Sequence, residues 1–142
     1  DDGLGGTGIE SGDVRGAADQ IARALAHDLK QSKGERARVA VLPVVNRTRF
    51  RIDPALVQNE LIHDLSTQSR HRFALVAVRN NKPQATANAV LKTELRGLTK
   101  DNGELTTDFV QYAFTLETHE GEVLWSGMYQ TKRASDVDVI YQ

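Results

Sequence analysis

The strongest constraint on this chain is the two-residue alternation of two long strands in its C-terminal half. From Ala89 to Leu98, one side carries Ala89, Leu91, Thr93 and Leu95 and the other Val90, Lys92, Glu94 and Arg96. From Thr106 to Thr118, Val110, Tyr112, Phe114 and Leu116 alternate with Phe109, Gln111, Ala113 and Thr115, and Glu122 to Lys132 adds Val123, Leu124, Trp125, Met128 and Tyr129. Successive side chains of a strand point to opposite faces, so an apolar-polar alternation marks a sheet buried on one face only, as antiparallel sheets are. The separators Asp101-Asn102-Gly103 and Glu120-Gly121 are residues that tolerate tight turns. These three strands therefore form a meander, and the rest of the chain must supply what covers its apolar face.

The N-terminal half supplies helices and shorter strands. Residues 1 to 12 contain five glycines and read as the end of a flexible tether. From Asp13, an N-cap or first-turn acid, Val14, Ala17, Ala18, Ile21, Ala22, Leu25 and Leu29 recur at helical spacing until Ser-Lys-Gly-Glu-Arg ends the helix. Arg38 to Val45 is a nearly continuous apolar strand of the kind buried on both faces, and Pro43, lacking an N–H, belongs at a bulge, an edge or the strand's end. Asp53 and Pro54 open a second helix with Leu56, Val57, Leu61 and Leu65 as its apolar face, and a short strand, Arg72 to Val78, follows. The predicted fold class is α/β: a single domain, residues 13–142, with a mixed sheet of about five strands and two helices on one face. The strands joined through the second helix are expected to be parallel neighbours.

The totals narrow the functions available. With 142 residues the chain suffices for one domain, and a net charge of −1 provides no global field to attract nucleic acid. No apolar run approaches the roughly 18 residues of a membrane span. Absence of cysteine excludes thiol catalysis, disulfides and cysteine-ligated zinc. The first residues lack the basic, apolar, small-residue progression of a signal peptide, so any targeting segment is expected upstream.

Chemical motifs are sparse. Gly3 to Gly8 has glycines but no preceding strand and no immediately following helix, as a phosphate loop requires. His27, His63, His71 and His119 show no metal-ligand spacing. His63, Asp64 and Ser66 make no triad, because neighbours on a helix point about 100° apart. Asp136 and Asp138 read as a solvated pair rather than a cation site. Asn46-Arg47-Thr48 matches a glycosylation sequon too common to weigh. No catalytic, metal or cofactor residue is assigned. The candidate site is Arg47, Arg49, Phe50 and Arg51, because arginines around an aromatic are enriched where proteins grip one another. Charge reversal at Arg49 and Arg51 is then expected to weaken partner binding and leave thermal unfolding nearly unchanged.

The segments DVRGAADQIARAL, RVAVLPVVNRT, DPALVQNELIHDLSTQ with RFALVA, and VLWSGMYQTKRASDVDVIYQ together resemble the LpoB family of penicillin-binding protein activators. They share features with the amino-terminal domain of TolB and with CsgG. The most specific parts are the strand with proline and Asn-x-Thr, Val39 to Thr48, and the Trp-Ser-Gly hairpin at Trp125 to Gly127. The chain departs from the family between Val78 and Val90, where about a dozen residues stand in place of a longer, helix-bearing connection. The resemblance implies a periplasmic domain tethered to the outer membrane by an upstream lipidated cysteine. It implies a protein partner, a class A penicillin-binding protein whose peptidoglycan synthesis is stimulated without catalysis by this chain, and neither cofactor nor nucleic acid. The alternatives are a subunit of an envelope secretion complex, as the likeness to CsgG allows, and a small periplasmic ligand-binding module.

Overall fold

The computed structural model describes residues 11–29, 36–80 and 87–132. Helix α1 spans Ser11–Asp28, starting two residues before the expected N-terminus, and α2 spans Pro54–Gln68. The strands are β1 (Arg38–Val41), β2 (Val45–Asn46), β3 (Ala74–Ala77), β4 (Ala89–Asp101), β5 (Thr106–Thr118) and β6 (Val123–Lys132). They form one six-stranded sheet in the order β3-β1-β4-β5-β6, with β2 also pairing β4. β1 lies parallel to both β3 and β4, while β4, β5 and β6 are antiparallel. The mixed α/β fold, the meander and the parallel pair joined through α2 match the expectation.

The expected strand from Arg38 to Val45 is broken into β1 and β2. Val41 pairs with Leu91 but Val45 pairs with Glu94, so four steps along β1 and β2 match three along β4 and one residue is looped out. Pro43 sits in that loop. Leu42 still donates its N–H to the Leu91 carbonyl at 3.0 Å, whereas Pro43 has no N–H to contribute, so its neighbourhood is where the ladder yields at least cost. β3 is likewise shorter than the expected Arg72 to Val78.

Both helices pack on one face of the sheet. Val14, Ala17, Ile21 and Leu25 of α1 and Val57, Leu61 and Leu65 of α2 share one core with Val39 and Val41, with Leu91 and Leu95, and with Val110, Tyr112, Phe114 and Leu116. The start of α2 follows the expected chemistry: Asp53 is the N-cap, its carboxylate accepting the Ala55 N–H at 3.0 Å, and Pro54 takes the first helical position. The face of α2 differs by one residue. Leu56 is 43% exposed, and Gln58 takes the inner position at 2%. Val57, Leu61 and Leu65 recur every four residues, which sets the buried stripe, and its remaining edge falls on Gln58 because each residue turns the helix by about 100°.

Gln58 is satisfied there. Its Nε2 donates to the carbonyls of Val41 and Val78, both at 3.0 Å, and its Oε1 accepts from Arg79 Nη1 at 2.9 Å. The side chain thus joins the C-terminal ends of β1 and β3 to the helix above them.

The Trp-Ser-Gly hairpin has a packing explanation. A Cβ built on Gly127 would lie 2.6 Å from two carbons of the Trp125 ring and 3.4 Å from Tyr129, so the indole lies across the glycine. Both Trp125 and Tyr129 pack against the core, Tyr129 meeting Phe114 edge to face at 5.9 Å. Burial, with a further contribution from Asp19, raises the Tyr129 phenol above its ordinary pKa. Gly127→Val is expected to push the indole off this seat, costing about 1–2 kcal/mol and red-shifting the emission of the single tryptophan. An unchanged spectrum would show that the ring does not depend on the missing Cβ.

Candidate functional site

The four residues expected to form a gripped surface lie in the segment after β2, and its shape comes from Asn46 and Thr48. The Asn46 carboxamide donates to the Phe50 carbonyl at 3.0 Å, while its Oδ1 accepts the Thr48 N–H at 2.9 Å and the Thr48 hydroxyl at 2.6 Å. The Thr48 hydroxyl in turn accepts the Phe50 N–H at 3.1 Å. Short polar side chains bonding backbone two residues away are a standard means of closing a turn. Asn-Arg-Thr, read from sequence as a formal sequon, is here the clasp of the loop. No periodicity signals such a role; only the side-chain to backbone spacing of two residues could have suggested it.

The loop separates the four candidate residues. Phe50 is not a surface residue: it is 8% exposed, belongs to the main core together with Ile52, and anchors the loop. Arg49 lies over the Phe50 ring, 4.8 Å from its centroid, and its Nη2 contacts Asp108 Oδ2 of β5 at 2.6 Å. Asp108 is itself buried, and its other oxygen accepts the Thr99 hydroxyl at 2.8 Å. Arg49 is therefore committed to the fold, because a carboxylate withdrawn from water needs a charged or hydrogen-bonding partner. Arg51 is exposed and, among the described residues, has no side-chain hydrogen bond or ion pair.

Arg47 turns toward the sheet face that the helices leave uncovered. Its Nε lies 2.9 Å from Glu94 Oε2, and the same oxygen receives Arg96 Nε at 3.3 Å. Lys92 on the same strand pairs with Glu117 of β5 at 3.2 Å. Beside these groups is a depression of about 380 Å³, open to solvent on one side, with Leu42, Pro43 and Val45 as one wall and Ala113 and Thr115 among its lining. Sequence reasoning placed Lys92, Glu94 and Arg96 on the outer face of their strand. It did not bring Arg47 to them, since that contact depends on β2 lying beside β4.

Among the described residues, no group of three or more His, Cys, Asp or Glu is placed to hold a metal ion, and no helix is long and apolar enough to cross a membrane. Asp136 and Asp138 lie outside the described residues, as does the glycine-rich start.

No protein-family model matches the chain, and no curated protein sequence matches it. Solved structures do. The C-terminal domain of LpoB from Salmonella enterica superposes with a TM-score of 0.51 at 19% identity, covering 85% of this chain and 99% of that one. The C-terminal domain of LpoB from Escherichia coli gives a TM-score of 0.48 at 19% identity, covering 84% of this chain and 98% of that one. With two helices on one side of a mixed sheet and nearly all of the Salmonella domain matched, the fold of this chain is LpoB-like.

Proposed function

We propose that this domain is a non-enzymatic regulator that acts by binding a protein, and that its partner is a bifunctional class A penicillin-binding protein whose glycan polymerisation it stimulates. The observation that carries the reading is the match of the chain to nearly the entire C-terminal domain of LpoB. Such a regulator needs no reactive side chain of its own. Binding one conformation of the synthase more tightly than another shifts the synthase's population by the difference in affinity, and a tenfold difference corresponds to about 1.4 kcal/mol. In this reading the domain works in the periplasm, held to the outer membrane by a lipid anchor upstream of residue 1.

Within the arginine loop, Arg47 and Arg51 are the contact residues on this proposal, whereas Arg49 and Phe50 hold the loop in place. The test is polymerisation of labelled lipid II by the class A synthases of the source bacterium, with and without the domain. Acceleration of one synthase, weakened by Arg51→Glu at an unchanged melting temperature, is the expected result. No acceleration of any synthase, together with no binding, would overturn the proposal.

A further inference from the structure

The uncovered face of the sheet carries a more specific arrangement than the loop does. Glu94 receives both Arg47 and Arg96 through their Nε atoms, on a single carboxylate oxygen. A guanidinium has five N–H donors in a planar fork. Among the described residues, the Nη ends of these two arginines have no hydrogen-bond partner, and neither side chain has a hydrogen bond or ion pair beyond Glu94. One carboxylate therefore holds two cationic forks, Arg96 in the lining of a depression formed by Leu42, Pro43, Val45 and Ala113 and Arg47 beside it.

The charges at and beside this depression do not cancel. Lys92, Glu94 and Arg96 line it, and Arg47 and Glu117 pair with Glu94 and Lys92, which makes three cations against two carboxylates. Arginine Nη groups matched to a carboxylate form paired, charge-assisted hydrogen bonds, the geometry in which arginine exceeds lysine. The floor between β4 and β5 is low because Ala113 and Thr115 are small beside Glu94 and Lys92, their register partners. Apolar side chains thus find a seat next to a carboxylate receptor.

From this juxtaposition we infer that the depression between Pro43 and Ala113 receives an acidic segment of the partner protein. An Asp or Glu of that segment engages Arg47 and Arg96, and a neighbouring apolar side chain enters the depression. Glu94 is a positioning residue in this arrangement, since it touches the arginines and not the partner. The inference rests on the proposed protein-binding function and names the chemistry of the partner's contacting segment.

The test measures binding of the full chain to purified class A synthases for wild type, Arg96→Glu, Arg96→Lys, Ala113→Arg and Arg15→Glu, each checked by thermal unfolding. Arg15 is exposed on α1, on the helix side of the sheet, and serves as the control. Arg96→Glu and Ala113→Arg are expected to weaken binding tenfold or more, on the order of a lost charge-assisted contact. Arg96→Lys is expected to weaken it several-fold because the fork is lost and the charge kept, and Arg15→Glu to leave it unchanged. Binding of both Arg96→Glu and Ala113→Arg at wild-type affinity would overturn the inference and leave the activator reading intact.

If wild type binds no synthase, the activator reading fails by itself, and a second probe decides the inference. The isotope-labelled chain is titrated with a capped peptide, Leu-Glu-Val-Asp-Leu, and followed by amide NMR. Perturbations centred on residues 45–47, 92–96 and 113–115, suppressed in Arg96→Glu, support the site. Shifts absent there, or unaffected by the substitution, overturn it.

Discussion

Replacing Arg49 with glutamate is expected to destabilise the domain by about 3 kcal/mol and lower its thermal midpoint by roughly 10 °C. The partner of Arg49, Asp108, has a side chain only 12% exposed, whereas the arginine is 60% exposed. The new carboxylate would face a buried one that keeps only the Thr99 hydroxyl as a donor. Arg49→Ala, which strands Asp108 without adding repulsion, is expected to cost about 2 kcal/mol. Asp108→Asn is expected to cost less than Arg49→Ala, because the freed guanidinium can turn into water while the freed carboxylate cannot. Thermal unfolding followed by circular dichroism ranks the three, and equal effects of Arg49→Ala and Asp108→Asn would show that burial does not separate the partners. The sequence-based expectation that charge reversal at both Arg49 and Arg51 spares stability is corrected for Arg49 by this geometry. Arg51, with no partner among the described residues, is the residue whose reversal tests binding without disturbing the fold.

Gln58→Ala is expected to cost about 2–3 kcal/mol, combining lost hydrogen bonds with a cavity under α2. The Val78 carbonyl loses the Nε2 donor, Arg79 loses its acceptor, and the Val41 carbonyl keeps only the Val78 N–H at 2.9 Å. Gln58→Glu, nearly the same shape, is expected to cost more than alanine at neutral pH. It aims carboxylate oxygens at two backbone carbonyls where a donor stood. At acid pH a protonated carboxyl can donate to one of them, so the deficit of Gln58→Glu relative to wild type should shrink as pH falls. Hydrogen exchange at Val78, whose amide joins β3 to β1, gives a local readout. Wild-type protection there in Gln58→Ala would show that the strand ends do not depend on the glutamine.

Much of the fold was legible because its signals are local. Asp53 followed by Pro54 starts α2 as capping chemistry dictates. Gly121, with φ +93°, and Gly103, with φ +94°, occupy the two hairpin turns in a backbone region that favours glycine. The candidate loop was only partly legible. Its arginines stand out in sequence, but Phe50 looks identical whether it faces a partner or the core. Its burial is decided by the clasp of Asn46 on the Phe50 and Ile52 carbonyls, which turns the loop inward.

The sequence by itself determined the three-stranded meander, the face it buries, the two helices and the parallel β1 and β3. Each follows from residue periodicity or from a turn or cap a few residues long. Only the tertiary structure decided that β4 runs parallel beside β1, that one residue near Pro43 is looped out, and that Gln58 replaces Leu56 inside. It also decided which arginine serves the fold: Arg49 meets Asp108 across 59 residues of chain, while Arg47 meets Glu94 because β2 pairs with β4. The physical reason is range. Periodicity and capping act within a turn or a strand, whereas burial and ion pairing depend on which distant segments the sheet sets side by side.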